Sequence, residues 1–251
     1  MQDWTGAVTS GGSIELQIDW LQTSVGFSLL NQEAQQAGQL LERVFGDQIL
    51  QIGSWGSADL FLGYARTQYA ALLSDDDLEG MTARVSPLSL PVQSDSVDAV
   101  LLPHTLELSS EPHAVLREVH RVLRPDGKLI VLGFNPYSWW GIRNLFAPQG
   151  YPPGIHRQIS RGRLSDWLRL LNLRIDGSTG CYASPHAGRA GKLLNRCHWI
   201  ASAYQLVATK ETMPMTVIRP RLRQRARLVR GLVNPTTRSA SMRDKTTGNA
   251  V

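Results

Sequence analysis

Residues 97–134, VDAVLLPHTLELSSEPHAVLREVHRVLRPDGKLIVLGF, place two apolar runs on either side of one amphipathic stretch. AVLLPH and KLIVLGF are short, continuous and rich in branched side chains, as strands buried on both faces are. Between them Val115, Leu116, Val119, Val122 and Leu123 recur at helical spacing behind Pro112, which suits a first helical turn. Pro125-Asp126-Gly127 reads as the exit turn of that helix. A strand, a crossover helix and a second strand make a βαβ unit, so this pattern commits the chain to a mainly parallel sheet with helices on both faces.

The flanking sequence extends the pattern. Leu29, Leu30, Ala34, Ala37, Leu40, Leu41, Val44 and Phe45 predict a helix over 26–45, stopped by Gly46-Asp47. Ile49 to Ile52 predicts a short buried strand, 58–65 a helix, and Tyr69 to Leu73 a second strand closed by Asp75-Asp76-Asp77. Leu164, Trp167, Leu168 and Leu171 fall at i, i+3, i+4 and i+7, which predicts an amphipathic helix. AYQLVATK alternates as a late strand does. The predicted architecture is one doubly wound α/β domain over 48–211, preceded by a helical segment (1–47) and followed by a basic tail (212–251). In such sheets ligands bind beyond the carboxyl ends of the strands, near the point where strand order reverses. The loops starting at Gly53, Asp75, His104 and Asn135 therefore share one rim.

Charge separates the tail from the body. The chain of 251 residues has a formal charge of +5, but from Arg219 onward it holds nine basic residues and one acid. Residues 1–218 hold 17 basic and 20 acidic groups, a net charge of −3. The cluster Arg219 to Arg230 (RPRLRQRARLVR) reads as a solvated disordered end, as a weak contact for nucleic acid or another anionic surface, or as a short basic amphipathic helix. No apolar run approaches the ~18 residues that span a bilayer, and the first residues do not pattern as a signal peptide. Cys181 and Cys197 are too few for a disulfide scaffold and form no CxxC pair. They read as reduced thiols of a cytoplasmic protein with no structural metal site.

The block LSLPVQSDSVDAVLLPHTLELSSEPHAVLREVHRVLRPDGKLIVLGF resembles the core of class I S-adenosylmethionine-dependent methyltransferases of the type 11, UbiE-like kind. The resemblance rests on Leu90-Pro91, Val97-Asp98, His104-Thr105-Leu106-Glu107 and Arg121 to Gly127, and it extends over about 49–211. It implies a Rossmann-like fold, the cofactor S-adenosyl-L-methionine, and methyl transfer to a small-molecule acceptor. It also implies a cofactor-binding set: Gly53, Trp55 and Gly56 in the turn after the first strand, and Asp75 on the ribose hydroxyls. Ser86 falls near the adenine, and Leu102 and Pro103 at the end of the strand before His104.

The turn departs from the family pattern of an acid followed by Gly-x-Gly-x-Gly. Gln51 stands at the acidic position, Trp55 at the second glycine and Ser57 at the third, with Gly56 one place out of register. Trp55 either walls the cofactor pocket or fills it; in the second case the chain keeps the fold as an interaction module. Asp75 either holds the ribose or is one solvated member of an acidic turn. His104 is either a general base, its pKa lying near working pH, or a capping residue of the next turn. Methyl transfer asks little of side chains, because the sulfonium is already activated and positioning of the acceptor supplies much of the acceleration. The stretch NPYSWWGIRNLFAPQGYPPGIHRQ is read as a loop over the acceptor site, or as a surface excursion packed through Trp139, Trp140 and Phe146.

Overall fold

The computed structural model describes residues 10–57, 59–76, 80–147, 150–155, 157–181 and 201–211. The chain divides into two units, 1–213 and 214–251, and the described residues all belong to the first. The arginine cluster and the second inserted stretch (182–200) lie outside them.

Each predicted apolar run of the central block becomes an element close to its expected bounds. In chain order these are α1 (Ser10–Gln22), α2 (Ser24–Leu41), β1 (Gln48–Ile52), α3 (Asp59–Leu62), β2 (Tyr69–Ser74) and β3 (Ala83–Arg84). Then come β4 (Val97–Pro103), α4 (Thr105–Leu108), α5 (Pro112–Val122), β5 (Leu123–Phe134), α6 (Trp139–Phe146), α7 (Arg161–Leu170), β6 (Leu173–Cys181) and β7 (Ala203–Lys210). The seven strands form one sheet in the order β3-β2-β1-β4-β5-β7-β6. All pairs among β1 to β5 are parallel, and β7 runs antiparallel between β5 and β6. The expected doubly wound, mainly parallel α/β fold is thus the observed one. Strand order reverses between β1 and β4, which makes the crevice beyond Ile52 and Pro103 the switch point.

The sheet is buried on both faces because its central strands alternate two apolar sets. In β5, Leu129 and Val131 pack on one side under α5 and α7, while Ile130, Leu132 and Phe134 pack on the other under α1 and α2. β4 divides likewise, with Val100 and Leu102 facing the first cluster and Ala99 and Leu101 the second. In β1, Ile49 joins the α2 side and Leu50 and Ile52 the opposite side. Alternation then directs Gln51, 1% exposed, toward α2.

Two local features differ from expectation. The Pro125-Asp126-Gly127 turn does not separate α5 from β5 but forms a bulge within β5. Asp126 adopts φ 62°, and pairing with β4 skips from Val97↔Leu123 to Ala99↔Lys128. Helix α1 falls within the helical segment expected over 1–47 but has no bounds in the sequence pattern, since its Ser-Gly-Gly-Ser start hides the few apolar positions, Trp20 and Leu21, that anchor it in the core.

Asp98 fastens the N-terminal helical segment to the sheet. Its Oδ2 accepts the backbone N–H groups of Asp47 (2.7 Å) and Gln48 (2.9 Å), and its Oδ1 accepts from Arg124 Nη1 at 2.7 Å. Partial burial works against ionisation, but these donors outweigh it and hold the Asp98 carboxyl below the ordinary range. Gly46 is required beside it, because a Cβ there would fall 2.4 Å from Asp98 Cγ. Asp98→Ala should lower the unfolding free energy by about 2 kcal/mol, since it leaves two backbone donors and a guanidinium without their acceptor. Urea unfolding at neutral pH measures this, and an unchanged midpoint would contradict the assignment.

Candidate functional site

The turn after β1 enters the switch point through glycine. Gly53 sits at φ 87° and Gly56 at φ 78°, both in the region that side chains avoid. Gly53 N–H still bonds Leu73 O at 2.8 Å, so the turn leaves the sheet only after Gly53. A Cβ on Gly53 would meet Thr105 Oγ1 at 2.6 Å. The Thr105 hydroxyl in turn donates to Ile52 O, which bridges the ends of β1 and β4 across the crevice.

Trp55 turns its indole inward under α2 and is 2% exposed. Its Nε1–H donates to Glu33 Oε2 at 3.0 Å. The other oxygen of Glu33 lies 3.0 Å from His104 Nε2, and His104 Nδ1 lies 3.1 Å from Glu107 Oε2. Glu107 Oε1 accepts the backbone N–H groups of Phe134 (2.8 Å) and Ile159 (3.3 Å). His104 itself has φ 57°, a left-handed conformation that the start of α4 imposes on it. Its ring is fully buried, stacks on Phe134 at 4.0 Å between centroids and touches Trp55 at 4.4 Å.

Each imidazole nitrogen faces a carboxylate oxygen, an arrangement that favours the doubly protonated imidazolium form of His104. Burial opposes that charge, but the Glu33 and Glu107 carboxylates prevail and raise its pKa to about 9. Burial pushes Glu107 upward, against the His104 proton and the two backbone donors it accepts. The same environment raises the Tyr204 hydroxyl and the Cys181 thiol, through burial first and then through Glu107 and Glu33 respectively.

The remaining expected site residues divide by exposure. Asp75 is exposed at the end of β2, and only its backbone carbonyl is engaged, by Arg84 Nε at 2.9 Å. Asp76 is the more inward of the pair, its carboxyl raised by burial and by Asp75; Asp77 lies outside the described residues. Ser86 is exposed and its hydroxyl accepts Leu88 N–H at 3.3 Å. Leu102 and Pro103 are buried at the end of β4. The structure therefore brings Gly53 and Pro103 to Thr105 and Trp55 to His104, and leaves Asp75 and Ser86 exposed.

Three residues at this site escaped the sequence reading: Glu33, Thr105 and the side-chain role of Gln51. Glu33 had a legible signal, since it stands four residues from both Leu29 and Ala37 on the apolar face of a helix. Gln51 donates through Nε2 to Gly53 O at 3.3 Å, and its buried Oε1 has no hydrogen-bond partner among the described residues. In the segment after β5, α6 buries Trp140 against Trp20 and Tyr151 but leaves Trp139 and Phe146 73% and 82% exposed. Adjacent helical positions point about 100° apart, so Trp139 and Trp140 cannot both face the sheet.

Comparison with known proteins agrees with this geometry. Residues 62–131 match the methyltransferase domain family. The chain is 35% identical over 193 residues to the uncharacterized protein YafS of Escherichia coli (strain K12), a match covering 72% of this chain and 79% of YafS. The chain belongs to the class I S-adenosylmethionine-dependent methyltransferase family. Over 105 residues it is 29% identical to a ubiquinone biosynthesis O-methyltransferase of Xanthomonas oryzae pv. oryzae, which covers 39% of this chain and 44% of that enzyme. Among solved structures, a methyltransferase of Thermotoga maritima superposes with a TM-score of 0.58 at 17% identity, over 79% of this chain and 96% of the other. Within this methyltransferase fold, no helix among the described residues is long and apolar enough to cross a membrane.

Two outcomes follow from the buried charges. The folded state holds the His104 proton up to about pH 9, whereas an unfolded histidine releases it near 6.5. The stabilisation is therefore complete below about pH 6.5 and is lost as pH rises through 9. Urea midpoints recorded from pH 6 to 10 should fall across that window, and His104→Gln should flatten the slope. Glu33→Ala should cost about 3 kcal/mol or more, because it strands a buried imidazolium side and an indole N–H. Equilibrium unfolding measures that loss, and Trp55 fluorescence reports the indole's new surroundings.

Proposed function

We propose that the protein transfers a methyl group from S-adenosyl-L-methionine to a small-molecule acceptor, with the cofactor on the rim between Gly53 and Asp75. The observation that carries this reading is the orphaned oxygen of Gln51. A buried amide oxygen without a donor is costly, and it stands at the position where the family has an acid. The ammonium of the cofactor's methionine portion is a donor of the kind that oxygen lacks. Gly53 and Gly56, at positive φ, permit close backbone approach to such a ligand. Asp75, exposed and with its carboxylate in no hydrogen bond or ion pair among the described residues, suits the ribose hydroxyls, with Ser86 beyond it toward the adenine. Leu102, Pro103 and the Trp55 side of the turn form the floor.

His104 in this reading positions the site and does not abstract a proton, since both ring nitrogens are committed to carboxylates. When bound, the cofactor supplies an electrophilic methyl group, and the chain's part is to hold the acceptor in line with it. A cytoplasmic setting belongs to the same reading and is supported by Cys181, a buried free thiol.

Calorimetric titration of the full chain with S-adenosylmethionine tests the proposal. Binding in the micromolar range is expected. Gln51→Leu and Asp75→Ala should each weaken it about tenfold, a loss of the size of one hydrogen bond to a charged group. No heat at millimolar cofactor would sink the enzyme reading and leave the fold serving as an interaction module, with Trp55, Glu33 and Thr105 as fillers of a former crevice.

A further inference from the structure

A cavity of about 360 Å³ lies farther along the same edge of the sheet, between the loop after β5, the start of α7, the end of β6 and the start of β7. That volume falls in the range of small-ligand sites. Its wall is mostly apolar and includes the rings of Tyr137 and Tyr204. Tyr204 is a fixed wall: its hydroxyl donates to Ile159 O at 2.8 Å, and Gly133 makes room for it, since a Cβ there would approach that oxygen to 2.7 Å. Asn135 is fixed too, its Nδ2 donating to Ala201 O at 3.0 Å and its Oδ1 accepting Tyr137 N–H at 3.1 Å.

Ser178 and Arg161 are among the uncommitted polar groups of the cavity. The Ser178 hydroxyl is shielded from solvent and has no hydrogen-bond partner among the described residues. Arg161, the first residue of α7, lines the cavity with a side chain that forms no ion pair or hydrogen bond among the described residues. An arginine there stands at the positive end of the helix dipole, the end that disfavours a cation and favours an anion. α7 carries no acid in its first turn to balance it, and no lining residue of the cavity is acidic. Space beside it is open, since a Cβ on Gly162 would have nothing within 4 Å. Arg161 is exposed, set against the local field and unpaired among the described residues, so an anion in the cavity would find a guanidinium available to it.

We propose that this cavity binds a small aromatic carboxylate, its ring between Tyr137 and Tyr204 and its carboxylate on Arg161, with Ser178 donating to it. The site does not depend on the methyl-transfer reading. It is joined to the rim by one chain of contacts, Tyr204 to Ile159 O and Ile159 N–H to Glu107.

The probe is 2-naphthoate, titrated calorimetrically into the full chain without cofactor, with neutral 2-naphthamide as the isostere. Naphthoate should bind with a Kd below about 1 mM and naphthamide about tenfold more weakly. Arg161→Leu, at an exposed position that leaves folding intact, should cost naphthoate about tenfold and leave naphthamide unchanged. Ser178→Phe, checked for folding by circular dichroism, should abolish both. Absence of naphthoate binding at about 5 mM, or equal affinity for wild type and Arg161→Leu, would overturn the proposal. Neither result bears on the cofactor titration, so the two readings fail separately.

Discussion

An imidazolium clasped between two carboxylates, with no surface on water, is the interaction on which the N-terminal half of this protein depends. Taking such charges out of solvent costs several kcal/mol per ion and is repaid only when every lone pair and proton is matched. Here each carboxylate oxygen and both ring nitrogens have a partner. Glu33 accepts from His104 and Trp55, Glu107 from His104 and two backbone N–H groups, and His104 donates twice. The three charged residues come from α2, the end of β4 and α4, so the network holds the helical segment against the carboxyl edge of the sheet. Hydrophobic contact alone would let α2 slide, because apolar burial is not directional; the charged pairs set its register.

The same network fixes the turn after β1. With its indole N–H bound to Glu33, Trp55 points into the α2 layer beside Trp20 and Phe134. Thr105 closes the gap between β1 and β4 by bonding Ile52 O, and its hydroxyl lies where a side chain on Gly53 would be. Three groups that a ligand at a switch point might engage are thereby assigned within the chain: the indole, Ile52 O and Gly53 O. Gln51 Oε1 is the acceptor left over. On the side of His104 the rim is bonded within the chain, whereas Asp75 is exposed.

The sheet was legible in the sequence because burial on both faces forces continuous apolar runs. KLIVLGF and AVLLPH have no other stable use in a chain with amphipathic stretches between them. Helix α5 was legible through Pro112 and its stripe of valines and leucines. The bulge at Asp126 was not, since Pro-Asp-Gly marks a turn without saying whether the strand has already begun. The site was legible as a place but not as an arrangement. Gly53, Trp55 and His104 could be put on one rim from topology, whereas their partner Glu33 is 71 residues from His104 and belongs to a helix whose orientation depends on tertiary packing. Pairwise charge recognition over that separation leaves no local trace except one acid on an apolar face.

Trp55 is better understood as part of the helix layer than as an intrusion into the turn. At the second glycine position a side chain has two directions available: toward the ligand side of the turn, or toward the layer beneath. An indole on the ligand side would leave its N–H to be satisfied by solvent or ligand. Beneath α2 it finds a carboxylate at 3.0 Å and three aromatic neighbours, counting the His104 ring. Glu33 is what makes the inward direction favourable, and His104 gives the second oxygen of Glu33 its partner there. Trp55, the acid on α2 and the buried histidine are thus energetically coupled, and replacing any one of them would leave a buried polar group of its neighbour unmatched.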